Sequence, residues 1–265
     1  MTLHNLLAAI VQAALCFAII ALIRVAVVYL GSRLGGILIG TPMLVFPLLA
    51  MQAWLGPPVT QDETIGSIAS ITAVTFGLWS MWLPINYKPL ATLLTMALSW
   101  ATILAIIYAF DVPAMVMAVA VIANAAFILI RNHDHKPAAA PGRAKLTEAA
   151  IPTAIFLVIF FAAKHVVPEF VRGILAMFPI VMLATLYFIR STTSNEGFHN
   201  FVIYSHCAIV GTAIFVVAVH FSLARFPIAL SLAIGLLASL ATSFVVSRVW
   251  RVPSMSSAPA GDGGH

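Results

Sequence analysis

Arg33-Leu-Gly-Gly-Ile-Leu-Ile-Gly-Thr-Pro42 has a second copy in this chain, Arg172-Gly-Ile-Leu-Ala-Met-Phe-Pro179. Each copy reads Gly-Ile-Leu with a proline six residues after its glycine, Gly36 to Pro42 and Gly173 to Pro179. Each has an arginine just upstream and runs on into an apolar span. The echo continues downstream, where Pro89-Leu-Ala answers to Pro227-Ile-Ala. Pro42 lies 47 residues before Pro89, and Pro179 lies 48 before Pro227. A common frame over that distance is the mark of a duplicated membrane unit, and a repeat decides how every other segment is read.

The residues around the two copies place the chain in a membrane. Hydrophobic residues make up 62% of it and charged residues only 8%, with a mean hydropathy of +1.08. A soluble body of 265 residues could not hide that much apolar surface. The runs are long and uniformly apolar rather than short and alternating, which excludes a transmembrane β-barrel. The formal charge of +5 is no nucleic-acid footprint, because the basic residues stand singly between apolar spans. Cys16 and Cys207 both fall within such spans, so a disulfide framework is not expected. The N-terminal stretch has neither a basic leader nor a cleavage site, and its first span reads as a retained helix.

A helix needs about 20 apolar residues to cross the bilayer core. On that ruler nine spans are expected, at residues 5–29, 35–56, 64–84, 89–110, 113–131, 149–167, 170–190, 199–221 and 226–247. Glycines, prolines and charges punctuate them, among them Gly56-Pro57-Pro58, Asp111-Val112-Pro113 and Pro168. The fold class is thus all-α, a polytopic helical membrane protein. Residues 1–131 form a first half of five helices and 148–250 a second half of four. Residues 132–147 make a polar linker, and 251–265 a Ser-, Ala-, Gly- and Pro-rich tail without apolar periodicity.

The linker carries Lys136, Arg143 and Lys145, with Arg131 at its edge, and so reads as cytoplasmic. Counting outward from it, Arg33, Lys88, Arg190, Arg248 and Arg251 share its side. Lys164, Arg172 and Arg225 fall opposite, with the acids Asp62, Glu63, Asp111 and Glu169. That asymmetry predicts a periplasmic N-terminus and a cytoplasmic C-terminus. The repeat opens spans 2 and 7, five spans apart, so its copies cross in opposite directions. Inverted-topology repeats of this kind are a plan common among secondary transporters.

Candidate binding residues follow from that plan. Gly36 and Gly40 form a Gly-xxx-Gly pattern that permits close helix approach. Thr41 and Pro42 follow, and a proline there frees a backbone carbonyl inside the membrane. Broken helices at matching places in two halves point to a substrate site, which adds Gly173 and Pro179. Span 3 contributes Ser67 and Thr72 from a run of hydroxyls that also includes Thr64, Ser70 and Thr75. Those hydroxyls suit a hydrated face or helix–helix hydrogen bonds equally. His199, His206 and His220 fall within about 60° on one helical face. His206 is the deepest and a candidate proton relay, set against a plain buried histidine bonded to a carbonyl. Asn124, also interior, needs a partner or a ligand. Trp54, Trp79, Trp82, Trp250 and Tyr87 read as interface anchors.

No Asp or Glu lies clearly within a span, so the usual carboxylate for ion coupling is not expected. No catalytic constellation, phosphate-binding loop, metal site or cofactor motif is expected either. The expected partners are the lipid bilayer, a small solute and a second copy of the chain as a homodimer, with no nucleic acid.

Arg33-Leu-Gly-Gly-Ile-Leu-Ile-Gly-Thr-Pro42 resembles the Arg-x-Gly-Gly-Leu-x-x-x-x-Pro signature of small GlpM-like bacterial inner-membrane proteins. The resemblance covers about ten residues strongly and the first half loosely. It implies an inner-membrane location and a loose link to envelope polysaccharide production, and it carries over no functional residue. The five-helix inverted plan is also similar to drug/metabolite transporters, except that a tenth helix is missing. Two functional expectations result. One is a secondary transporter or permease-like protein working by alternating access between its halves. The other is a non-transporting membrane subunit that scaffolds an envelope-biosynthesis complex.

Overall fold

The computed structural model describes residues 45–55, 58–82, 88–131, 166–177 and 195–249, with Pro42, Leu183, Arg190 and scattered positions in 7–18 and 154–163. Among them every regular element is helical. We number the helices α1 (Val45–Leu55), α2 (Gln61–Gly77), α3 (Pro89–Ala109), α4 (Ala114–Arg131), α5 (Glu169–Ala176), α6 (Asn195–Leu223) and α7 (Ile228–Val249). A 3₁₀ segment, Leu78–Trp82, extends α2.

Among the described residues, three stretches are long and apolar enough to cross a membrane: Gln61–Trp82, Pro89–Ala109 and Ile228–Val246. That is fewer than the nine spans expected. Span 1 falls largely, and spans 2, 6 and 7 about half, on residues outside the described set, where the whole linker and tail also lie. The hairpin around Asp111 is present, with α3 and α4 as separate helices. Asp111 makes the turn at φ 46°, a left-handed conformation that a short polar side chain tolerates.

The element at the centre is α2. It packs against α3, α4, α5 and α6, while α7 lies on α6 and α1. Within the Gln61–Trp82 stretch 78% is buried, against 17% and 28% in the other two. Apolar side chains surround α2 along its length. Ile68 and Ala69 pack with Leu49, Phe215, Val216 and Val219; Ile71, Val74 and Leu78 pack with Met96, Val121, Phe198 and Val202.

The start of α2 is fixed by Thr60. Its backbone is extended and its hydroxyl accepts the Glu63 N–H at 3.3 Å, satisfying one of the first orphan donors of the helix. Asp62 and Glu63 occupy the first turn, where the helix dipole favours negative charge. This places the helix start three residues before the expected span and takes Glu63 out of the connection into the bundle.

Candidate functional site

The polar centre of the described structure joins three helices. Glu63, in the first turn of α2, is wholly buried. Its Oε2 accepts from Gln52 Nε2 of α1 at 2.8 Å and from Arg172 Nε of α5 at 3.0 Å. Gln52 is also wholly buried and Arg172 is 6% exposed. Both donors converge on one carboxylate oxygen. The other, Glu63 Oε1, is buried without a hydrogen-bond partner, and so is Gln52 Oε1. Beyond the pair, Arg172 Nη2 lies 3.9 Å from Oε1 of Glu169, which is half exposed.

Two glycines allow these groups to meet. A Cβ on Gly66 would lie 2.0 Å from the Phe170 carbonyl oxygen, and one on Gly173 would lie 1.8 Å from that of Glu63. The backbones of α2 and α5 therefore touch, which only small residues permit. Ser67 secures the crossing by donating its hydroxyl to the Gly173 carbonyl at 3.1 Å. On the far flank the His220 ring of α6 bonds the Thr64 hydroxyl at 2.8 Å. The Thr64 hydroxyl hydrogen goes to the Gln61 carbonyl at 2.7 Å, so Nδ1 of His220 is the donor in that contact.

A second polar cluster sits toward the other end of α2. His206 is wholly buried; its Nδ1 bonds the Val202 carbonyl at 2.9 Å and its ring meets Trp79 edge-on at 5.8 Å. Trp79 donates Nε1–H to Asn124 Oδ1 at 2.6 Å. Because indole nitrogen only donates, this fixes the Asn124 amide with its NH2 group on the other side.

The expected site residues are thus divided. Ser67 and Gly173 meet directly. Thr72 bonds back to the Ile68 carbonyl of its own helix at 2.7 Å. His206 lies beside Trp79, which is 12 positions beyond Ser67, about 18 Å along a helix. Pro42 is buried and its carbonyl accepts the Phe46 N–H at 2.8 Å. Gly36, Gly40, Thr41 and Pro179 lie outside the described residues. The close glycine contact found here uses Gly66 and Gly173; Gly66 belonged to no expected site. All five hydroxyls of the α2 run are bonded, Ser70 accepting from Trp100 and Thr75 donating to the Ile71 carbonyl. Trp79, expected as an interface anchor, is half-buried and a partner in the interior; Trp54 is 76% exposed.

The reading from sequence missed Glu63, Gln52 and Arg172 as one site. A local signal existed. Thr60-Gln-Asp-Glu63 has the form of a capping box, which would have put Glu63 inside the first turn. The box is only half used, since the Glu63 side chain turns to Gln52 and Arg172, and no local pattern foretells that. Among the described residues no group of three His, Cys, Asp or Glu side chains could hold a metal ion.

Comparison with protein-family models, with curated proteins and with solved structures finds no match, and so neither supports nor opposes the GlpM-like resemblance of Arg33–Pro42.

Proposed function

We propose that the chain is a secondary transporter or permease-like protein of a bacterial inner membrane, carrying a small solute by alternating access between two inverted halves of five and four helices. The observation that carries this reading is the buried Glu63–Arg172 pair, which joins α1 and α2 of the first half to α5 of the second. Ionisable side chains inside a membrane bundle are expensive to bury, and they mark ion and substrate pathways. The halves receive further support from Pro89 and Pro227, which stand at matching places, at or just before the first residue of α3 and α7.

A second reading has its own observation. The direct backbone contact at Gly66 and Gly173, with every α2 hydroxyl bonded, describes a close-packed interior. That packing suits the non-transporting scaffold of an envelope-biosynthesis complex.

Flux measurements separate the two. Purified protein in proteoliposomes on a solid-supported membrane is challenged with amino acids, sugars, nucleosides and organic cations in turn. Transport predicts a transient current with at least one class, abolished by Glu63→Gln and retained in His206→Ala. A folded, monodisperse protein that gives no current with any class removes the transport reading and leaves the scaffold.

A further inference from the structure

Charge, orphaned oxygens and a second acid converge at one point on α2, and they describe an exchange. Glu63 uses one oxygen for both of its donors, leaving Oε1 buried and unpartnered. Gln52 donates through Nε2 but its own Oε1 is equally buried and unpartnered. Leaving such acceptors unsatisfied is costly away from water. A carboxylate and a primary amide can share only one kind of bond, N–H to oxygen. A carboxylic acid and an amide can share two, because the acid O–H then finds the amide oxygen. One proton on Glu63 therefore supplies the donor that both orphaned oxygens lack.

We propose that Glu63 is a proton-binding site, and that protonation hands Arg172 from Glu63 to Glu169. The inference deepens the transport reading above, on which its role in coupling rests. The balance is simple. Glu63 takes one proton onto Oε1 and becomes neutral, and no other bond to hydrogen breaks. Arg172 keeps its charge and turns to Glu169, already 3.9 Å from its NH2 group and one helical turn away on α5. The buried pair is thereby replaced by a half-exposed one. The α2–α5 crossing, to which the Glu63–Arg172 pair and Ser67 both contribute, loses a polar tie.

The surroundings contain what this exchange needs. From α1 comes Gln52 and from α5 come Arg172 and Glu169; these two are the charges that act on Glu63. From α6 comes His220, bonded to Thr64 beside it in sequence. At this end α3 contributes Tyr108, whose ring lies against Phe170 of α5. The buried polar group of α4, Asn124, meets α2's extension at Trp79, toward the opposite end. An alkali cation fits less well, since it would have two oxygens, one of them on a carboxylate already neutralised by Arg172.

Infrared difference spectroscopy of the full chain in lipid nanodiscs tests this without any substrate. Spectra are recorded as pH is stepped, in sodium and in choline buffers. The expected result is a carboxylic-acid C=O band in the solvent-shielded range, lost in Glu63→Gln, shifted in frequency in Gln52→Leu, and the same in both buffers. Gln52→Leu and the milder Glu63→Asp keep the test valid should Glu63→Gln fail to fold. A band unaltered by all three variants, or no such band at any pH at which the chain stays folded, overturns the proposal. So does a band that sodium displaces at constant pH, which would make the site one for an alkali cation. A band without transport in the flux assay leaves the proton site standing and removes only its coupling role.

Discussion

At the scale of single residues, the decisive fact is that a carboxylate and a guanidinium were taken out of water together. Removing one member of such a pair leaves the other charged and buried, which typically costs about 3–5 kcal/mol, whereas replacing both by apolar groups can be near neutral. Arg172→Leu should destabilise the protein by about that much, Glu63→Leu by less because Arg172 then has Glu169 within reach, and the double variant by clearly less than Arg172→Leu. Denaturant unfolding in mixed micelles, run as a double-mutant cycle, measures the coupling. Single variants that cost under about 1 kcal/mol and simply add would mean that the two groups are independent. His206 stands in contrast. Its Nδ1 has the Val202 carbonyl and its ring meets Trp79, while its Nε2 is buried without a hydrogen-bond partner.

At the scale of elements, α2 and α5 depend on two missing side chains. An added methyl at Gly66 or Gly173 meets backbone oxygen at 2.0 or 1.8 Å, and a backbone cannot step aside as a flexible side chain can. Overpacking a well-filled core costs about 1–3 kcal/mol, and a clash with main chain belongs at or above the top of that range. Gly66→Ala and Gly173→Ala should therefore each lower the thermal midpoint strongly. Gly77→Ala, whose Cβ would press on the flexible end of Met96 at 3.3 Å and lie at ordinary contact distance, 3.6 Å, from the Trp100 backbone nitrogen, should cost far less. A Gly77→Ala variant as damaged as the other two would show that helix propensity in general, and not the α2–α5 contact, is being measured.

For the whole molecule the prediction concerns sides. Asp62 and Glu169 flank the two members of the ion pair, so they share one end of the bundle. In a chain whose Cys16 and Cys207 are replaced by alanine, Asp62→Cys and Glu169→Cys should react with an impermeant thiol reagent from the periplasmic face. Lys136→Cys and Arg190→Cys should react from the cytoplasmic face only. Any labelling that puts 136 or 190 with 62 breaks the inverted-repeat argument and the transport plan built on it.

The sequence by itself determined the class. A chain 62% hydrophobic and 8% charged calls for long apolar helices, and its apolar runs and prolines located α3, α4 and α7 to within about two residues because those are local properties of length and punctuation. It also grouped Glu63, Arg172 and Glu169 on one side by counting crossings. Tertiary structure alone decided that Glu63 and Arg172 meet, that Gln52 joins them, and that α2 rather than a more apolar helix is central. Those outcomes depend on contacts between residues 11 and 109 positions apart, and on two glycines whose role exists only once another backbone lies against them. Spacing along one helix cannot encode them. The same reason covers Ser67 and Ser70, which needed the Gly173 carbonyl and the Trp100 indole of other helices, whereas Thr64, Thr72 and Thr75 bond back to carbonyls three or four residues earlier in α2, a local pattern.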